Sequence, residues 1–161
     1  MEKLSVIIPS YKDPYLFKTI RSLLDNSELP EEELEIIAVW DGYYPPSEIV
    51  ILDPRVKYVH MGKNRNMRES INTGVRVAQG EFIMRTDEHC MFAPGYDVAL
   101  TATFEDNWIV TPRRYFLDPV RWAVMDIPPI DYEKLKTREK EGGLIKFEGV
   151  AWGSRARERA E

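Results

Sequence analysis

Residues Gly80 to Cys90 read GEFIMRTDEHC. A small turn residue leads into the apolar run Phe82-Ile83-Met84. The stretch closes on two carboxylates and an imidazole, Asp87-Glu88-His89. A short apolar run bounded by glycine predicts a buried strand. Open α/β sheets bind their ligands outside the carboxyl ends of the strands. The triplet therefore falls where such a sheet keeps its chemistry, provided the flanking sequence builds the sheet.

Working outward, Leu4 to Pro9 (LSVIIP) is a β-branched apolar run that predicts a central parallel strand buried on both faces. Asp13-Pro14 reads as a helix N-cap followed by proline at the first helical position. Leu16, Phe17, Ile20, Leu23 and Leu24 follow at helical spacing, and the helix ends near Asn26-Ser27. Glu35 to Asp41 (EIIAVWD) predicts a second buried strand, Gly42 a sharp turn, and Pro46-Ser47-Glu48 a short helical turn. Val56 to His60 predicts a third strand. Arg68 to Ala78 has helical apolar spacing despite Gly74, with Gly80 as a C-cap-like terminator. The order β-α-β-β-α-β predicts an α/β fold with a mostly parallel central sheet flanked by helices.

Beyond residue 90 the pattern is less regular. It predicts an amphipathic helix over Tyr96 to Phe104 and a strand at Trp108 to Thr111. Asp118 to Pro129 is aromatic and proline-rich. Tyr132 to Glu141 reads as a charged helix or mobile flap, with Gly142-Gly143 as a hinge for a lid. Leu144 to Glu148 predicts a strand, and Gly153 to Glu161 a charged, helical tail.

At 161 residues the chain is expected to form one domain. Apolar content of 43% and charged content of 30% are those of a soluble globular protein. The net charge of −5 argues against nucleic acid as the main partner or acceptor. Between Arg55 and Arg85, however, seven basic residues face only two acids, Glu69 and Glu81. That suits a small anionic ligand such as a diphosphate; a solvated helix face has the same composition. Cys90 is the single cysteine, which excludes an intrachain disulfide and fits a reducing compartment. No leader-like start and no membrane-length apolar run is present, so a cytoplasmic location is expected.

In such a sheet three strand ends meet at one edge: Pro9-Ser10-Tyr11, Asp41-Gly42 and Asp87-Glu88-His89. Asp87 and His89, two residues apart at a strand end, are able to reach one divalent ion. An oxygen-rich site suits Mg²⁺ or Mn²⁺, and the imidazole favours Mn²⁺. A surface turn contains the same triplet, and the residues alone leave both readings open. Asp41 is a candidate acceptor for a base N–H or a ribose hydroxyl, or a turn-forming Asp before glycine. Tyr11 is placed to stack on a base or to cover the core rim. Arg65 and Arg68 are candidates for phosphate. No G-x-G-x-x-G follows the first strand, the P-loop pattern is missing, and there is no Gly-x-Ser-x-Gly elbow.

Taken in order, LSVIIPSYKD, EIIAVWDG and AQGEFIMRTDEH resemble the nucleotide-binding half of GT-A fold glycosyltransferases, especially family 2. The resemblance covers residues 4 to about 100. Its motifs are Pro9-Ser10-Tyr11, Trp40-Asp41-Gly42-Tyr43, Ala78-Gln79-Gly80-Glu81, and Asp87-Glu88-His89 in the place of Asp-x-Asp. It implies a Rossmann-like GT-A domain over 1–161, with residues 1–100 binding the donor and a short acceptor half over 101–161. It also implies a metal-assisted, hexosyl-type glycosyltransferase using a nucleotide-diphosphate sugar, a UDP-sugar first of all, and an acceptor the residues do not reveal. Pro9, Ser10, Tyr11, Asp41, Arg65, Arg68, Asp87 and Glu88 would hold the nucleotide sugar. Asp87 and His89 would hold Mn²⁺ or Mg²⁺. If the enzyme inverts, Glu148 is the candidate base. Two departures stand out: Trp40 replaces the first Asp of the second motif, and His89 the last Asp of the metal motif. An Asp-x-His-Cys run is similar to that of polypeptide N-acetylgalactosaminyltransferases. The alternatives are a nucleotide-sugar binding module or truncated donor-binding core, and a sugar-1-phosphate nucleotidyltransferase. The last would want a Gly-rich basic loop after the first strand, which Pro9 to Asp13 does not supply.

Overall fold

The computed structural model describes residues 4–102, 105 and 107–129, and the backbone of two further strands, 133–139 and 145–151. Residues Met1–Asp106 form one compact unit and Asn107–Glu161 a second.

The first unit is built on a four-stranded parallel sheet of β1 (Leu4–Ser10), β2 (Leu34–Asp41), β3 (Val56–Met61) and β4 (Phe82–Arg85), in the order β3-β2-β1-β4. Helices α1 (Leu16–Asn26), α2 (Asn66–Val77) and α3 (Tyr96–Thr101) complete it. The two central strands are buried on both faces, which is why they read as unbroken apolar runs. Val6, Ile8, Ile36 and Ala38 join Leu16, Ile20 and Leu23 of α1 in one core. Ile7, Ile37, Val39 and Met61 form the other, where α2 packs. Gly74 permits that approach: a Cβ there would stand 2.5 Å from Ile7 Cγ2. This explains a glycine in mid-helix, where it otherwise costs stability.

Four expectations need correction in this unit. First, β4 is an edge strand of the sheet, half exposed rather than buried, with Ile83 46% accessible. Its apolar run is real, but only β1 pairs with it among the described residues. Second, α1 starts two residues after Pro14, and its N-cap residue is Tyr15. Asp13 instead makes a local turn, accepting from Tyr15 N–H at 2.7 Å. Third, Gly80 is no helix cap. α2 ends at Val77 with an extended Ala78, and Gly80 N–H donates to Ser5 Oγ at 2.7 Å. Fourth, α3 stops at Thr101, short of the expected end at Phe104, which lies outside the described residues.

Gly80 belongs to a cluster at the amino end of the sheet. Glu35, only 2% exposed, accepts from Lys57 Nζ at 2.6 Å, from Ser5 Oγ and from the N–H groups of Gln79 and Gly80. Burial by itself would raise its pKa. The bonds from Lys57, Ser5 and Gln79 outweigh that and lower it to about 2. One carboxylate thus ties β1, β2, β3 and the α2–β4 connection together.

In the second unit the described strands form two antiparallel pairs. β5 (Leu117–Asp118) pairs with β6 (Ala123–Val124), and β7 (Glu133–Glu139) with β8 (Ile145–Ala151). Where a charged helix or mobile flap is expected over Tyr132 to Glu141, the described part, Glu133–Glu139, is a strand. Its charges alternate with Leu135 and Thr137 at the period of a strand, and pairing with β8 overrides helix propensity. The predicted strand at Trp108 to Thr111 has no ladder partner among the described residues and is irregular, with Ile109 94% exposed. The Gly142-Gly143 hinge and the tail Gly153 to Glu161 lie outside the described residues. No described helix is long and apolar enough to cross a membrane.

Candidate functional site

The carboxyl edge of the parallel sheet opens into a cleft of about 200 Å³. Its walls are Pro9, Ser10, Tyr11, Asp41, Met67, Ser70, Asp87, Glu88 and His89. Three strand ends supply seven of these residues, as the parallel topology requires: β1 delivers Pro9 to Tyr11, β2 delivers Asp41, and the turn after β4 delivers Asp87 to His89.

Asp41 is 2% exposed, and each of its oxygens accepts one bond: Oδ2 from Asn64 Nδ2 at 3.0 Å, Oδ1 from Arg65 N–H at 2.6 Å. Each carboxylate oxygen has a second lone pair, so capacity remains for a ligand. Gly42 allows this arrangement. Its φ is +75°, and a Cβ would lie 2.3 Å from Asn64 N. The residue after Asp41 must be glycine for the 63–65 loop to fold against it.

Glu88 joins two of the strand-end loops. Its Oε2 accepts from Tyr11 N–H at 3.0 Å. Burial pushes its carboxyl above the usual range, opposed by a bond from Ser10, and the nearby Asp13 charge pushes the same way as burial. From beneath, α1 holds the turn through a buried threonine. Thr19 Oγ1 donates to Glu88 O at 3.0 Å and accepts from Cys90 N–H at 2.9 Å. Ser22 Oγ accepts from Phe92 N–H at 2.9 Å. No motif marks these hydroxyls, but Thr19 sits on the apolar stripe with Leu16, Ile20 and Leu23. A polar residue inside such a stripe signals a buried bond. Asn64, Met67 and Ser70 carry no comparable signal.

Asp87 and His89 line the same cleft with one oxygen-bearing and one nitrogen-bearing side chain. Arg85 is paired with Asp87 Oδ1, and His89 Nδ1 lies 3.0 Å from Asp13 Oδ2. Asp87 Oδ2 and His89 Nε2 make no hydrogen bond among the described residues. Those residues contain no group of three His, Cys, Asp or Glu able to cage a metal. What Asp87 and His89 leave open is one carboxylate oxygen and one imidazole nitrogen, donor types that Mg²⁺ and Mn²⁺ accept, and fewer than a preformed cage would supply.

The two arginines expected at phosphate do not line the cleft. Arg65 contributes its backbone N–H to Asp41, and Arg68 N–H bonds Asn66 Oδ1 at 3.2 Å in the first turn of α2. Glu148 lies on β8 opposite Lys136, in the second unit; its side chain is outside what is described. Trp40 faces α1 instead of the cleft and belongs to an aromatic cluster. Its ring lies 4.8 Å from Tyr58 and 4.5 Å from His60. Together with Phe17, Tyr43 and Pro45 it walls a second cleft of about 280 Å³.

A parallel sheet flanked by helices, with carboxylates and an imidazole gathered at its carboxyl edge, is an α/β architecture that matches the Rossmann-like GT-A fold. The chain matches the glycosyl transferase family 2 model over residues 5–157 and belongs to that family. Among solved structures it is similar to S. aureus TarS 1-349 in complex with UDP, with a TM-score of 0.53 and 21% identity over 62% of this chain and 31% of that one. TarS 1-349 in complex with UDP-GlcNAc gives a TM-score of 0.50 at 21% identity over 62% of this chain and 30% of that one. S. aureus TarS itself gives 0.50 at 22% identity over 60% and 19%. At these identities the likeness is one of fold, and the chain spans less than a third of those structures' length. No curated protein matches the chain.

Proposed function

We propose that the chain is the donor-binding part of a metal-assisted glycosyltransferase that takes a sugar from a nucleotide diphosphate, with a UDP-sugar as the donor. The observation that carries the reading is the single cleft in which Tyr11, Asp41, Asp87 and His89 meet. Family membership supports it. The TarS structures similar in fold hold UDP and UDP-GlcNAc, which makes UDP the first nucleotide to try.

In this reading Tyr11 stacks on the base, and Asp41 accepts from a base N–H or ribose hydroxyl. Pro9 and Ser10 supply backbone contacts, and Glu88 holds the first loop against the metal turn. Asp87 and His89 hold Mn²⁺ or Mg²⁺, which when bound neutralises the diphosphate and stabilises it as a leaving group. Arg65 and Arg68 stand outside the walls of the cleft, and their proposed contact with phosphate or sugar is a reach from its rim, where Arg65 N–H bonds Asp41. The Asp-x-His pattern resembles that of polypeptide N-acetylgalactosaminyltransferases and makes His89 a working ligand. If the reaction inverts, Glu148 is the proposed base.

Calorimetry and thermal-shift assays with UDP or GDP, each with Mn²⁺ or Mg²⁺, test the reading. UDP is expected to bind and to raise the melting temperature only with metal present, and Asp87→Ala is expected to abolish both effects. Nucleotide binding that ignores metal and survives Asp87→Ala overturns it. Mn²⁺-dependent donor hydrolysis distinguishes an enzyme from a nucleotide-sugar binding module.

A further inference from the structure

The loop after β1 and the turn after β4 meet at one side-chain contact that the motifs do not account for. Asp13 has two partners. Its Oδ1 accepts from Tyr15 N–H at 2.7 Å, and its Oδ2 lies 3.0 Å from His89 Nδ1. The Asp13 side chain is 17% exposed and that of His89 55%. The carboxylate is therefore anchored on its own turn, and the imidazole leans on it. An ionised carboxylate has only lone pairs to offer. A neutral imidazole beside it must place its one proton on Nδ1, and Nε2 is then the bare nitrogen.

We propose that Asp13 is a positioning residue for metal binding: it fixes His89 as the Nδ1–H tautomer and so presents Nε2 as the ligand atom. The inference rests on the functional reading above and deepens it. A carboxylate behind a ligating histidine sets the ring's tautomer, holds its orientation and raises its basicity. Here the carboxylate comes from a different strand end than the histidine. The metal ligand is thus complete only when the β1 loop and the β4 turn are both folded.

Asp13→Asn discriminates sharply. The amide oxygen keeps the bond from Tyr15 N–H, so the turn survives. The amide nitrogen then faces His89 as a donor, which moves the ring proton to Nε2 and blocks ligation there. Asp13→Ser is the second variant: its hydroxyl keeps the turn and leaves His89 without a partner.

The first measurement needs no metal. The chain has two histidines, His60 and His89, so ¹⁵N long-range correlation spectra of the neutral imidazoles are assigned with one His60→Gln control. The wild type is expected to show His89 protonated at Nδ1, and Asp13→Asn to show it protonated at Nε2. A wild-type Nε2–H form, or no change in Asp13→Asn, overturns the proposal.

The second measurement is Mn²⁺ titration by calorimetry with UDP present. Both variants are expected to lose about 10- to 100-fold in Mn²⁺ affinity while keeping the wild-type melting temperature without ligand. Wild-type affinity in both variants overturns the inference alone, provided Asp87→Ala still abolishes binding. If the wild type binds no Mn²⁺, the inference and the functional reading fall together.

Discussion

At the scale of single residues, the cleft depends on side chains that hold backbone as much as on those offered to a ligand. Asp41 is legible in the sequence as an acid at a strand end. Its bonds to Asn64 and Arg65 are not, because they close over more than twenty residues. Gly42 is the complement of that closure. Gly42→Ala puts an L side chain at φ +75° and a methyl against the Lys63 and Asn64 backbone. A loss of at least about 2 kcal/mol is expected in urea denaturation, with weaker nucleotide binding. Unchanged stability would mean that the 63–65 loop moves aside at little cost. Asp13 is the counter-example. Followed by proline it reads as a helix cap, and only its distance to His89 reveals the second partner.

At the scale of elements, the parallel sheet carries opposite chemistry at its two ends. The carboxyl ends hold the cleft; the amino ends are closed by Glu35. Its pKa is depressed to about 2. Its stabilisation is therefore fully present above the ordinary carboxylate value of 4.5 and is lost as pH falls towards 2. That difference corresponds to about 3 kcal/mol. Folding free energy is expected to fall through this window, and Glu35→Gln is expected to flatten the fall while lowering stability at neutral pH. Denaturant titrations at a series of acid pH values decide it. An unaltered pH profile in the variant would remove Glu35 from the explanation. The helix α1 likewise does two jobs. Its apolar face was readable from Leu16, Ile20 and Leu23, whereas Thr19 and Ser22 dock the turn after β4 through bonds to residues some seventy positions away.

At the scale of the whole molecule, every residue lining the cleft lies within the unit Met1–Asp106. A chain ending at Asp106 is expected to unfold cooperatively and to keep Mn²⁺-dependent UDP binding, with transfer activity absent. Near-UV circular dichroism and calorimetry on that fragment provide the check. If UDP binding is lost, residues 107–161 must be assigned a part in holding the donor. The parallel sense of this unit's sheet was legible because helices separate most of its strands and its central strands are apolar throughout; the strand order β3-β2-β1-β4 was not. Nor was the second unit. Short strands such as β5 and β6 have too little sequence to show a period, and β7 is charged enough to look helical until its partner is known.

The motif-bearing strand ends, the α/β class and the expectation that chemistry collects at one sheet edge all follow from local pattern. Apolar periodicity and turn residues act over a few positions and are written in consecutive letters. The edge position of β4, the Asp13–His89 pair, the Glu35 staple and the Thr19 anchor depend on contacts between residues far apart in the chain. Such contacts are set when α1 and α2 pack on the sheet, because only then do the desolvated polar groups have to find each other.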